Sequence, residues 1–152
     1  MGGFIKWQVA ERSKLTPRMI QYYTDRGIVV PEIYPGNGSR GSHRVYSVKN
    51  IVEFMLIKEL TKLGIAFSVL KRLINLATPL MAKWDQIEAP LYILFSVGGV
   101  FDIGFCSVSS DVRIKPLLKN SVSVLIIDFA EIVKKVKKTL PEERIGDERK
   151  EG

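Results

Sequence analysis

The chain has 152 residues, of which 46% are hydrophobic, and a formal net charge of +7, a length that suits one ordinary domain or two small ones. It contains no run of about 18 apolar residues that could span a bilayer, and no charged-then-apolar signal peptide opens it, so we expect no membrane partner. The single cysteine, Cys106, permits no internal disulfide, and we expect a cytoplasmic location.

The positive charge is unevenly distributed. Residues 1–78 contain twelve Lys and Arg against five Asp and Glu, whereas residues 79–152 contain eleven of each. Because a localised basic surface attracts the phosphate backbone, the excess favours a nucleic-acid partner for the first half of the chain.

Two short helices in tandem are predicted near the start of the chain. The first is the amphipathic segment 7–13, and the second lies within residues 15–27. Thr16 can cap the free amides of the second helix, Pro17 suits its first turn, and Gly27 suits a left-handed residue after its end. Since the second helix is basic and aromatic, the pair is typical of a helix-turn-helix.

A glycine-rich hairpin and a second helix pair follow. Residues 35–46 are predicted to form a basic wing. Ser47 is a candidate cap for a helix over residues 48–63, which Gly64 ends, and a further amphipathic run covers residues 67–77.

This order of elements resembles that of the MerR-type winged-helix transcription regulators, over residues 4 to about 77. Four positions differ from the usual family pattern. Ile5 and Ala66 occupy places where a Ser or Thr cap is common, which weakens two helix starts. Gln21 stands where an Arg is common, and His43 replaces an aromatic residue. Base preference therefore does not transfer. The matching residues are Val9-Ala10, Thr16-Pro17-Arg18, Tyr22-Tyr23, Gly27, His43-Arg44-Val45-Tyr46-Ser47 and Leu60-Thr61-Lys62-Leu63-Gly64.

The resemblance implies double-stranded DNA as the partner. Arg18, at the start of the second helix, can bind guanine through two hydrogen bonds. Arg44 matches the Arg with which members of the family contact a DNA phosphate. Tyr22 and Tyr23 point about 100° apart, so one should pack inward; by the resemblance Tyr23 is the better candidate for the phosphate-facing ring. The predicted DNA-binding residues are Thr16, Arg18, Gln21, Tyr23, Arg40, His43 and Arg44.

The second half of the chain is predicted to mix strands and helices. Thr78-Pro79 repeats the cap-plus-proline start and predicts a short helix over residues 80–89, limited by Pro90. Strands are expected over residues 91–97 and 100–108, joined by a two-residue Gly98-Gly99 hairpin, and a third over residues 122–127.

A C-terminal helix is predicted after these strands. Asp128 would cap it, with Glu131 as the capping-box partner. Four lysines, 134, 135, 137 and 138, would form its solvated face. Its buried stripe would be Phe129, Ile132, Val133, Val136 and Leu140.

The predicted fold class is α+β. A winged helix-turn-helix domain occupies residues 1–78, a module of about three antiparallel strands and a C-terminal helix occupies residues 79–140, and a disordered charged tail occupies residues 141–152. Such a small module would be marginal alone. We expect a second copy to supply the missing burial in a homodimer, while an effector-binding role for the same module stays open.

No catalytic, metal or cofactor site is predicted. His43 is the only histidine and Cys106 the only cysteine, too few for a site of four Cys and His ligands. The chain also shows no phosphate loop and no nucleophile–base pair, so we expect that it is not an enzyme.

The leading hypothesis is a dimeric, sequence-specific DNA-binding transcription regulator, with RNA polymerase and an unidentified small-molecule effector as candidate further partners. Activation and repression are both compatible with the sequence. The alternative is an architectural or excisionase-like DNA-binding protein that needs no effector.

Overall fold

The computed structural model describes residues 2–87, 92–98, 102–109 and 123–141, and the predicted charged tail lies almost wholly outside these ranges. Helices occupy most of the first half, and a small antiparallel sheet with a C-terminal helix follows. The predicted α+β class is confirmed at this level.

The first two helices are short and follow the local signals of the sequence. Helix α1 spans Lys6–Ser13, and α2 spans Pro17–Asp25. The Thr16 hydroxyl accepts a hydrogen bond from the backbone N–H of Met19 at 3.2 Å, which satisfies one free amide at the helix start. Gly27 follows α2 with φ of +71°, so the predicted helix start and end are confirmed.

Helix α3, Val48–Lys62, is the central element of the fold. Ser47 accepts from the backbone N–H of Asn50, and the Asn50 side chain accepts from that of Ser47, which completes a capping box. Every residue from 50 to 57 is buried. The middle of α3 is thus covered on all sides, in agreement with a sequence that shows no clear polar face.

Helix α4 spans Phe67–Met81, and a short 3₁₀ turn spans Trp84–Gln86. The prediction that a new helix begins after Thr78-Pro79 and covers residues 80–89 was therefore wrong. The Thr78 hydroxyl donates to the carbonyl oxygen of Ile74 at 2.9 Å instead of capping a new helix. Ala77 and Met81 are fully buried, and their burial favours one more helical turn despite the hydrogen bond that Pro79 cannot donate.

The sheet has the order β2-β1-β3, with both pairings antiparallel. Strand β1 is Tyr92–Gly98, β2 is Asp102–Ser109 and β3 is Ser123–Asp128. Gly98 pairs with Asp102, so Gly98 belongs to the strand and the predicted two-residue Gly98-Gly99 connection was wrong, while residues 99–101 lie outside the described ranges. Ser96 pairs with Phe105 and Val97 with Ile103, which leaves Gly104 as the extra residue of a bulge.

Helix α5, Phe129–Thr139, returns the chain to the first half. The Asp128 carboxylate accepts from the backbone N–H of Glu131 at 3.0 Å, which confirms the predicted cap by Asp128. The apolar stripe of α5 is buried, also as predicted, but it packs chiefly against α3 of the same chain. A second copy is therefore not needed to cover the apolar stripe of α5, because an apolar side of α3 already covers it.

One hydrophobic core includes buried residues of both halves, from Phe4 to Leu140. The predicted domain boundary at residue 78 falls inside α4. The helix-turn-helix thus rests on a scaffold to which the C-terminal helix contributes.

Candidate nucleic-acid interface

Residues 35–44 form a loop, called here the 35–44 loop. Backbone hydrogen bonds hold together the two chain segments at its start and end, which are called here the base of the loop. Tyr34 and Val45 exchange two backbone hydrogen bonds, of 3.0 and 2.8 Å, and Phe4 and Tyr46 exchange two more, of 2.9 and 2.8 Å. Glycines 36, 38 and 41 have φ between +77° and +89°, a region that most other residues avoid. The glycine-rich sequence therefore suits the tight turns of this loop.

A side-chain hydrogen bond fixes the base of the loop against α2. The Tyr46 hydroxyl lies 3.0 Å from Thr24 Oγ1, and both groups are buried. The Thr24 hydroxyl donates to the carbonyl oxygen of Ile20 at 2.8 Å, so Tyr46 must be the donor in the other contact. The loop is thus attached to the helix beside which it lies.

The polar side of α2 and the 35–44 loop enclose an open cleft of about 310 Å³. Two cations reach across to α2. Arg44 Nη1 lies 2.6 Å from Asp25 Oδ1, and Lys6 Nζ donates to Gln21 Oε1 at 2.9 Å. The lining residues include Lys6, Gln21, Asp25, Gly36, His43 and Arg44.

The predicted site residues divide into two groups by their position. Gln21, His43 and Arg44 all line the cleft. The remaining exposed residues lie outside it, on α2 or on the 35–44 loop: Thr16, Arg18 and Arg40. The structure therefore brings Gln21, His43 and Arg44 together at the cleft, whereas Thr16, Arg18 and Arg40 are exposed outside its lining.

Tyr23 is not the outward-facing ring that the resemblance favoured. It is only 7% exposed, whereas Tyr22 is 44% exposed. Tyr22 packs edge-on against the Phe67 ring at 5.5 Å, and the Arg26 guanidinium lies 5.3 Å from its centroid. Burial, with the neighbouring Tyr22, raises the pKa of Tyr23. The two rings do point in different directions, as predicted, but Tyr23 is the one that packs into the core.

Sequence reasoning missed two charged residues of this cleft, Lys6 and Asp25. Asp25 follows Gln21 by four positions, a spacing that places both on one face of a helix, and this signal could have identified it. Lys6 is at the start of α1, and only the packing of α1 beside α2 brings it to the cleft.

The segment that enters the loop is anchored by a polar cluster under α3. Asn50 donates to the carbonyl oxygen of Val30 at 3.0 Å and accepts from the backbone N–H of Glu32 at 2.9 Å. Glu53, one turn along α3, is 6% exposed, and its burial raises its pKa to about 7, although Lys49 at 3.6 Å acts in the opposite direction. The cluster therefore holds a carboxyl group that changes charge near neutral pH.

Within the described ranges, no group of three or more His, Cys, Asp or Glu side chains is placed to hold a metal ion. No helix in that same part of the chain is both long enough and apolar enough to cross a bilayer.

Residues 7–76 match the family model of the MerR HTH family regulatory protein. The match begins in α1 and ends in α4, so it includes α2, the 35–44 loop and α3. It confirms the resemblance for this segment, which is a MerR-type helix-turn-helix. A comparison with curated proteins gave no match.

Proposed function

We propose that this chain, with a MerR-type segment over residues 7–76, is a sequence-specific DNA-binding transcription regulator. The observation that carries the proposal is the exposed face formed by α2 and the 35–44 loop. It combines a capped helix with exposed polar side chains and a basic loop beside it. A helix of this kind fits the major groove, and the adjacent loop can reach the backbone.

The side chains of α2 would supply sequence readout. Arg18 and Gln21 are exposed on this helix, and their side chains are suited to guanine and adenine, respectively. Thr16, at the start of this helix, would contact the DNA backbone through its hydroxyl. Tyr23 takes part only by its small exposed edge, since its ring belongs to the core.

The loop would supply the sequence-independent part of the affinity. Arg40 and His43 are exposed, and Arg44 has a side chain that is 35% exposed. The two arginine cations would neutralise phosphates and release counterions, which makes binding depend on salt. The loop would therefore fix the position of α2 in the groove, while α2 selects the sequence.

Residues 1–78 would act as the DNA-binding domain, and residues 79–140 would provide dimerisation, effector binding or both. Among the described strands, β2 and β3 each pair only with β1, so each has an outer edge that a second copy could extend. A homodimer would place two α2 helices on two half-sites and give a symmetric operator. RNA polymerase and a small-molecule effector are the further partners of this proposal.

The test is DNA selection on the full chain, followed by fluorescence anisotropy on the selected and a mixed-sequence duplex. We expect a symmetric site and at least about a thousandfold preference for it. Sedimentation of the free protein reports the dimer. Equal affinity for all duplexes would contradict the proposal of a sequence-specific regulator.

An architectural or excisionase-like protein would use the same face without an effector. Strong bending or filament formation on DNA in the absence of any small molecule would favour that function. A ligand-dependent change in affinity or DNA twist would favour the regulator.

A further inference from the structure

The polar side of α2 carries two hydrogen-bond acceptors one turn apart, and a cation from another element occupies each. Gln21 receives Lys6, from the start of α1, at 2.9 Å. Asp25 receives Arg44, from the end of the 35–44 loop, at 2.6 Å. In the free protein the cations of the cleft are therefore held on α2 itself.

The pair of Asp25 and Arg44 is placed so that it can open. The two side chains are 48% and 35% exposed, and ion pairs of this exposure are individually weak because water screens the charges. A β-carbon added at Gly36 would lie 3.3 Å from Arg44 Cγ, so the loop backbone packs against the aliphatic part of Arg44. The stem of Arg44 thus has a fixed place, while its guanidinium can exchange one anion for another.

A carboxylate and a DNA phosphate offer the same chemistry to a guanidinium, since both accept paired hydrogen bonds and carry negative charge. We infer that Asp25 is an internal competitor for the DNA phosphate that Arg44 binds, and that it restrains DNA affinity independently of sequence. This inference rests on the proposed function. When Arg44 moves to a phosphate, Asp25 is left without its cation and faces the duplex. Asp25 thus limits electrostatic binding by the positively charged half of the chain.

The test compares Asp25→Asn with the unchanged protein, on a mixed-sequence duplex of about 30 base pairs, which covers about three helical turns. Fluorescence anisotropy over a range of salt concentrations gives the affinity and its salt slope. We expect Asp25→Asn to bind about threefold to fivefold more tightly at low salt, with a slope steeper by about one unit. Asp25→Glu keeps the charge and should bind like the unchanged protein.

A matched control separates the local effect from the change in net charge. Glu11 is an exposed carboxylate on α1 that does not line the cleft. Glu11→Gln changes the total charge by the same amount as Asp25→Asn. We expect its affinity to change by less than about twofold, because the charge lies away from the cleft.

Competition for Arg44 makes a second, stricter prediction. In an Arg44→Gln background the gain from Asp25→Asn should fall below about twofold, since the carboxylate then has no cation to hold. A full gain in that background would show that Asp25 repels the duplex directly and would overturn the inference. Weaker binding by Asp25→Asn alone would also overturn it, because Asp25 would then position Arg44 for DNA. Absence of binding by the folded protein and all variants would instead remove the proposed function, and this inference with it.

Discussion

The guanidinium of Arg12 donates a hydrogen bond from Nη1 to the carbonyl oxygen of Thr139, at 2.9 Å, across 127 positions of sequence. Arg12 belongs to α1, and Thr139 is the last residue of α5. The same guanidinium lies 4.8 Å from the centroid of the Phe4 ring, and Phe4 pairs with Tyr46 at the base of the 35–44 loop. One side chain therefore joins the C-terminal helix to the base of the proposed DNA-contacting loop.

We expect Arg12→Ala to lower the free energy of unfolding by about 1–3 kcal/mol, because it removes a charge-assisted hydrogen bond and a cation–π contact. Urea unfolding followed by circular dichroism measures the change. Arg18→Ala serves as the control, since Arg18 is exposed, and should change stability by less than about 0.5 kcal/mol. Equal effects of the two variants would show that Arg12 does not tie α5 to the fold.

A chain truncated after Ala77 should not fold at about 25 °C and should therefore show no cooperative unfolding transition. The truncated chain lacks Met81, Trp84 and the buried stripe of α5, all of which belong to the core. Each large apolar side chain contributes about 1.5–3 kcal/mol on burial, and whole domains are stable by only about 5–15 kcal/mol. Circular dichroism and binding of a hydrophobic dye report the loss.

A chain ending at Pro141 is the control for this truncation, because it keeps every residue of the described core. It should unfold like the full chain. A sharp unfolding transition of the 1–77 fragment would contradict the single core and would support an independent N-terminal domain.

The buried Glu53 should make the protein less stable as the pH rises. Its pKa is raised in the folded state from 4.5 to about 7, so the folded protein binds a proton more readily than the unfolded chain does. The contribution of Glu53 to the free energy of unfolding should therefore be fully present below pH 4.5. It should decline as the pH rises towards 7, by about 3 kcal/mol at most. Urea unfolding across this range, for the unchanged protein and Glu53→Gln, isolates the contribution.

Glu53→Gln should remove this part of the pH dependence and should be the more stable protein above neutral pH. Glu11→Gln provides the comparison, because it makes the same chemical change at an exposed position. Identical profiles for Glu53→Gln and the unchanged protein would show that Glu53 does not titrate as its burial predicts.

Arg44→Ala should weaken binding to all DNA sequences by a similar factor and lower the salt slope by about one unit, because its proposed contact is a phosphate. Anisotropy titrations at several salt concentrations measure both quantities. An unchanged slope would exclude a phosphate contact by Arg44.

Arg18→Ala should alter sequence preference, at a cost of about 1–3 kcal/mol on the best site, because a bidentate contact with guanine would be lost. Repeating the DNA selection with the variant shows which position of the site is relaxed. A uniform loss of affinity across sequences would assign Arg18 to the backbone contacts instead.

The sequence by itself determined the elements whose signals are local. Thr16, Ser47 and Asp128 each cap a helix as predicted, because a cap is a hydrogen bond between residues three positions apart. Gly27 and Gly64 mark helix ends with positive φ. The MerR-type character of residues 7–76 was readable for the same reason, since its motifs lie within short stretches of chain.

Only the tertiary structure decided the features that depend on which surfaces meet. Helix α4 continues through Pro79 because Ala77 and Met81 are buried, and burial outweighs the one hydrogen bond that proline loses. The apolar stripe of α5 is covered by α3, a helix whose even hydrophobicity gave no sign of a free face. Lys6 reaches Gln21 across 15 positions, a contact that no sequence spacing encodes, because it depends on how two helices pack.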